Sequence, residues 1–95
     1  MSDQERELDK QVHKGYQAEE LLNHPMLKEF FQVTEQSLIT GIKISAADEY
    51  EKREEYCKAL RMLDSLRTML EHYSAGGKVA ADMLKRVRAG EFDNM

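Results

Sequence analysis

The sequence predicts an all-α fold. It takes the form of an antiparallel helical hairpin, with helices at about residues 25–42 and 46–73, flanked by helices at about 3–22 and 78–88. Three observations carry this. Leu, Glu, Lys, Ala, Met and Gln dominate, while the chain has one proline and no tryptophan, a composition of helices rather than strands. Apolar residues recur at three- and four-residue spacing along most of the chain. Residues that start and stop helices punctuate those stripes. Ninety-five residues fit one helical domain spanning 1–95. A chain of that length has a marginal core of its own, so association with copies or partners adds burial.

The first helix opens at Ser2, with Glu5 three residues on, the pattern of a capping box. Leu8, Val12, Tyr16 and Leu22 form a loose stripe interrupted by Gly15. The second helix is set by Pro25. Proline has no N–H to donate and restricts His24 to extended torsions, yet suits a first helical turn. Leu27, Phe30, Phe31, Leu38 and Ile42 make its apolar face, which fades in "TGIKIS".

The third helix carries the strongest signal. Ser45 and Asp48 imitate a capping box, and Asp48, Glu49 and Glu51 suit the positive end of the dipole. Tyr56, Leu63 and Leu70 recur every seven residues, interleaved with Ala59, Leu66 and Tyr73. Leu60 and Met69 widen that seam beyond a strict coiled-coil stripe, so a bundle helix is expected. Gly76-Gly77 then reads as a glycine C-cap and a corner. Beyond it Val79, Ala80, Met83, Leu84 and Val87 define a short amphipathic fourth helix, with residues 89–95 as a flexible tail.

These patterns nominate an interface made of Leu63, Leu66, Leu70, Val79, Met83, Leu84 and Val87. Its expected partners are a second copy of the chain or another protein. Lys78, Lys85, Arg86 and Arg88 are the candidates for an anion or nucleic-acid contact, with Lys78 at the N-terminus of the fourth helix. The net charge of -4 opposes general nucleic-acid binding, and no aromatic interleaves with the basic residues for stacking. The acidic start and the basic end of the chain are expected to attract each other between copies.

Neither catalytic residues nor a metal, cofactor or small-molecule site is expected. Gly76-Gly77-Lys78 lacks the earlier glycine and the following Ser/Thr of a phosphate loop; Val79 stands in that place. His13, His24 and His72 have no zinc-ligand spacing, and Cys57 has no base beside it on its helix face. The acids Asp48, Glu49, Glu51, Glu54 and Glu55 interleave with Lys52, Arg53 and Lys58 as a solvated face would. A single cysteine, the lack of a long apolar run and a polar N-terminus predict an intracellular, non-secreted chain without a membrane span.

Four stretches together carry a family likeness: "AEELLNHPMLKEFF", "EQSLITGIKIS", "REEYCKALRMLDSLRTMLE" and "GGKVAADML". They resemble small all-helical proteins encoded in tailed-bacteriophage genomes near packaging and head genes. The likeness spans about residues 18–84 and contains no catalytic motif. It implies a non-enzymatic structural, assembly or DNA-packaging accessory, placed in the host cytoplasm or the virion. Two alternatives stand beside it. One is a small acidic phage protein that binds and inhibits a host enzyme. The other is a DNA-binding module using the basic C-terminal helix.

Overall fold

The computed structural model describes residues 2–90, and these form three α-helices. Helix α1 spans Asp3–Asn23, α2 spans Pro25–Ile44 and α3 spans Tyr50–Arg88. The chain is all-α, as its composition and periodicity predict. The predicted tail falls partly outside the described residues: Ala89 and Gly90 form a turn, and 91–95 lie beyond them.

Local chemistry accounts for most helix ends. The Ser2 hydroxyl oxygen accepts the Glu5 N–H at 3.1 Å and donates to Glu5 Oε1 at 3.4 Å. The predicted box therefore forms, with its return arm running between side chains. At α2, His24 is the N-cap in an extended conformation, and its Nδ1 accepts the Met26 N–H at 3.1 Å. Pro25 follows it in the first turn. One residue thus separates α1 from α2.

The α2–α3 connection differs from expectation. Ser45 does not start α3. It is the C-cap of α2, where its hydroxyl donates to the Ile42 carbonyl at 2.7 Å. The residue that reaches back is Glu49, whose Oε1 accepts the Ala46 N–H at 2.8 Å. The Arg53 guanidinium donates to the carbonyls of Ala46 and Ala47 at 2.9 and 3.3 Å. A carboxylate and a guanidinium thus satisfy the turn's backbone from both sides, and α3 begins at Tyr50 rather than near residue 46.

The larger correction concerns Gly76-Gly77. No corner exists there, and residues 78–88 are not a separate fourth helix. Helix α3 runs through both glycines as one element of 39 residues. Neither glycine adopts left-handed torsions. Gly90 does, with φ of 78°, and its N–H donates to the Val87 carbonyl at 3.0 Å. The glycine stop signal is real, but it acts fourteen residues later than the first glycine of the pair.

Two compact units share α3. Unit 1 comprises residues 1–21 and 70–95, so within it α1 packs on the C-terminal part of α3. Leu8, Ala80 and Leu84 are its buried cluster, with Val12, Met83 and Val87 packed against them. Ala18, Leu70 and Ser74 are also buried. Leu8 of α1 clusters with Ala80 and Leu84 while Gly15, further along α1, faces the earlier Gly77 of α3, so the pairing is antiparallel.

Unit 2 comprises residues 22–69, with α2 packed on the N-terminal part of α3. This is the predicted hairpin. Arg67 reaches Glu35, and Tyr56 lies against Gly41, again in antiparallel order. Its buried large side chains are Phe31 and Leu63.

Candidate interaction surface

Helix α3 distributes the seven predicted interface residues between its own core and its surface. Leu63 is buried in unit 2, and Leu70 and Leu84 are buried in unit 1. Met83 and Val87 are half-buried against Leu8, Ala80 and Leu84. Leu66 and Val79 face outward at 40% and 61% exposure. The buried stripe of α3 runs through Leu63, Leu70, Ser74, Gly77, Ala80 and Leu84, in steps of four, three, three and four after Leu70. Val79 lies at the outer edge of the side that carries Met83, Leu84 and Val87, away from the buried stripe.

Sequence reasoning missed the contact that sets the spacing of unit 1. A Cβ added to Gly15 would lie 2.6 Å from Gly77 Cα and 3.0 Å from the Tyr73 carbonyl oxygen. A Cβ added to Gly77 would lie 2.7 Å from Gly15 Cα. The two backbones touch, and only the absence of side chains allows it. Ser74, Gly77 and Ala81 on α3, with Gly15 and Ala18 on α1, give the small-residue spacing that permits close helix approach. The seven-residue ladder Tyr56, Leu63, Leu70 also continues into Gly77 and Leu84. That continuity was the available signal.

The basic candidates are not gathered at a helix N-terminus. Lys78 sits inside α3, so no helix N-terminus opens beside it; its Nζ lies 3.8 Å from Glu19 Oε1. The expected attraction between acidic and basic ends thus appears within one chain. Arg86 pairs with Asp82 at 3.2 Å. Lys85 and Arg88 are exposed in the last turn, where cations complement the helix dipole.

A groove of about 300 Å³ in unit 1 is lined by Gln11, Lys14, His72, Tyr73, Gly76 and Gly77. The missing side chain at Gly76 leaves it open, since a Cβ there would meet nothing within 4 Å. The Lys14 ammonium is held 4.8 Å above the Tyr73 ring, which orients it toward its own helix partner. The three histidines stay apart: His13 pairs with Asp9 at 3.6 Å, His24 caps α2 and His72 lines this groove. Cys57 is a half-buried free thiol. Among the described residues no group of three or more His, Cys, Asp or Glu side chains is placed to hold a metal ion.

In unit 2, Arg67 is the organising polar residue. Its guanidinium lies 5.1 Å over the Phe31 ring, donates to Glu35 Oε2 at 3.3 Å, and approaches Asp64 at 3.9 Å. At the turn, the Glu49 carboxyl is held below its ordinary value, first by the Ala46 N–H and then by the Lys52 ammonium. The neighbouring acids are exposed, as a solvated face requires.

Large apolar side chains are exposed unevenly. Among the described residues of unit 1, Tyr16, Leu21 and Val79 are the exposed ones. Unit 2 exposes Met26, Phe30, Val33, Ile44, Tyr50 and Met62, as well as Leu66 and Met69. No helix of the described residues is long and apolar enough to cross a membrane. Comparison with protein-family profiles, curated proteins and solved structures returns no match.

Proposed function

We propose that this chain is a non-enzymatic helical interaction and oligomerisation protein, a structural, assembly or DNA-packaging accessory of a tailed bacteriophage. The observation that carries the interaction reading is the surplus of exposed Met, Phe, Val, Ile, Leu and Tyr on α2 and the first part of α3. Concentrated apolar surface on a small charged chain marks a contact with another macromolecule. The phage assignment rests on the likeness over about residues 18–84, and it places the protein in the host cytoplasm or the virion. Its test is tagged purification from infected cells with mass spectrometry of purified particles. Co-purification with capsid, portal or terminase components is the expected result. Absence from both particles and packaging complexes overturns the assignment.

A second reading, inhibition of a host enzyme, draws support from α1. Asp3, Glu7 and Glu20 are exposed along it, and rows of carboxylates can mimic nucleic-acid charge. Expression in uninfected host cells separates the two: a growth defect with one captured host enzyme favours inhibition. The DNA-binding reading is weaker, because Lys78 and Arg86 already meet Glu19 and Asp82.

A further inference from the structure

We infer that the α2–α3 hairpin of unit 2 docks face to face with the same hairpin of a second copy. The inference rests on the interaction reading above, in taking apolar exposure as a contact surface, and it names the partner and the face.

The face follows from helical geometry. At ~100° per residue, Met26, Phe30, Val33 and Ile44 fall within about 60° of one another around α2. Met62, Leu66 and Met69 fall within about 60° around α3. The arcs by which the helices pack on each other are marked by Phe31, Glu35 and Gly41 on α2, and by Tyr56, Leu63 and Arg67 on α3. Each exposed stripe is turned from its packing arc by roughly 120°, in the same rotational sense. In an antiparallel pair, equal turns of the same sense open onto one side. The pairing of Phe31 and Glu35 with Arg67 sets Val33 level with Leu66, and Phe30 level with Met69. The two stripes therefore merge into one continuous apolar face.

Its area suits a dimer. Exposure of Met26, Phe30, Val33, Met62, Leu66 and Met69 ranges from 40% to 75%. At ~180 Å² for a large side chain, that leaves roughly 600 Å² of apolar surface uncovered, the upper end of what monomers show. Two such faces laid together bury roughly 1,200 Å², the lower bound of a stable specific interface. A reversible dimer that forms with rising concentration is the expected consequence.

Chemistry favours a like partner. No charged residue falls within the α2 stripe, or within the α3 stripe between residues 59 and 69. Over that stretch nothing on the face selects an unlike, charged partner or repels its own copy; exposed Glu55, on the same side of α3, bounds it. Three of the six side chains are methionines, which adapt their shape to an identical neighbour. Unit 2 also needs the burial, since Phe31 and Leu63 are its only buried large side chains among the described residues. Two hairpins in contact would make a four-helix core of the kind a single hairpin lacks.

The test is sedimentation equilibrium of the full chain across the micromolar range, with the double variant Val33→Glu/Leu66→Glu. Both positions are exposed, so the variant keeps its fold, which circular dichroism checks. The wild type is expected to double its average mass as concentration rises, while the variant stays at monomer mass with unchanged helicity. Two results overturn the inference: a wild type that remains monomeric at every concentration, or a variant that dimerises as the wild type does. If the variant loses helicity, the single variant Met62→Glu, at the most exposed position of the α3 stripe, decides in its place. A monomeric wild type that still co-purifies with capsid, portal or terminase components removes the second copy but leaves the proposed function standing.

Discussion

Gly15 and Gly77 meet backbone against backbone: a methyl group added to either would fall within 2.7 Å of the other's Cα. Two residues far apart in sequence thereby fix how closely α1 approaches α3 in unit 1.

Adjacent glycines on α3 should consequently respond in opposite ways to the same change. Gly77→Ala inserts a methyl into the contact and costs roughly 1–3 kcal/mol, less the ~1 kcal/mol that alanine returns in helix propensity. Gly15→Ala behaves alike. Gly76→Ala meets open space and should raise stability by about 1 kcal/mol. Urea denaturation of the three variants measures this. Equal effects at 76 and 77 would rule out the close approach.

Gly41→Ala provides a graded comparison. A Cβ there meets the Tyr56 ring at 2.8 Å, and the obstacle is a side chain rather than backbone. The half-buried ring can shift, so the loss should be about 1 kcal/mol and smaller than at Gly15. The double variant Gly41→Ala/Tyr56→Leu should recover most of it in thermal unfolding.

Arg67→Ala removes a guanidinium that spans Phe31 and Glu35. Both charged side chains are about a third exposed, so solvent screens the pair and the coupling should be about 0.5–1 kcal/mol. A double-mutant cycle with Glu35→Gln measures it. Arg67→Lys should restore less than half, because an ammonium cannot both lie flat over the ring and reach the carboxylate.

Helix α2 depends on an imidazole at its start. His24→Ala should cost about 1 kcal/mol by leaving the Met26 N–H without its acceptor. His24→Asp and His24→Ser should restore it, each supplying an oxygen at the N-cap. Failure of both to rescue the melting temperature would show that the imidazole matters for some other contact.

Acid should loosen the α2–α3 turn. The Glu49 carboxyl titrates below the ordinary 4.5 because its charged form accepts the Ala46 N–H and lies near Lys52. A lowered folded-state value means that its contribution is fully present above the ordinary value. The contribution is lost as pH falls through the lowered one. NMR titration of the side-chain carboxyl should give a midpoint below 4.5, with the Ala46 amide shifting in step. An Ala46 amide that does not follow the carboxyl would remove the hydrogen bond from the account.

How much of this could be read from residues alone depends on where local chemistry decides the outcome. Ser2, Pro25 and the leucine ladder act over a few residues, and α1 and α2 begin where they indicate. At Ser45 two caps compete: its hydroxyl satisfies the end of α2, leaving Glu49 and Arg53 to hold the turn. At Gly76-Gly77 local propensity points one way and packing the other. Two glycines weaken a helix by ~2 kcal/mol relative to alanine, which makes them a reasonable stop. Contact of Gly77 with Gly15 across unit 1 overrides that tendency. The interface fared unevenly for the same reason. Leu63, Leu70 and Leu84 look like surplus apolar surface until α1 and α2 cover them, whereas Leu66 remains open. Met26, Phe30 and Val33 escaped notice as a surface because α2 carries two apolar stripes, and a single-face reading merges them.

The glycine contact also has a hereditary consequence. A side chain at position 15 meets backbone at 77 that no substitution there can shorten, so neither position can enlarge without moving a helix. Natural variants of this chain should therefore keep both glycines, while position 76, one residue along the same helix, drifts freely toward alanine, serine or lysine.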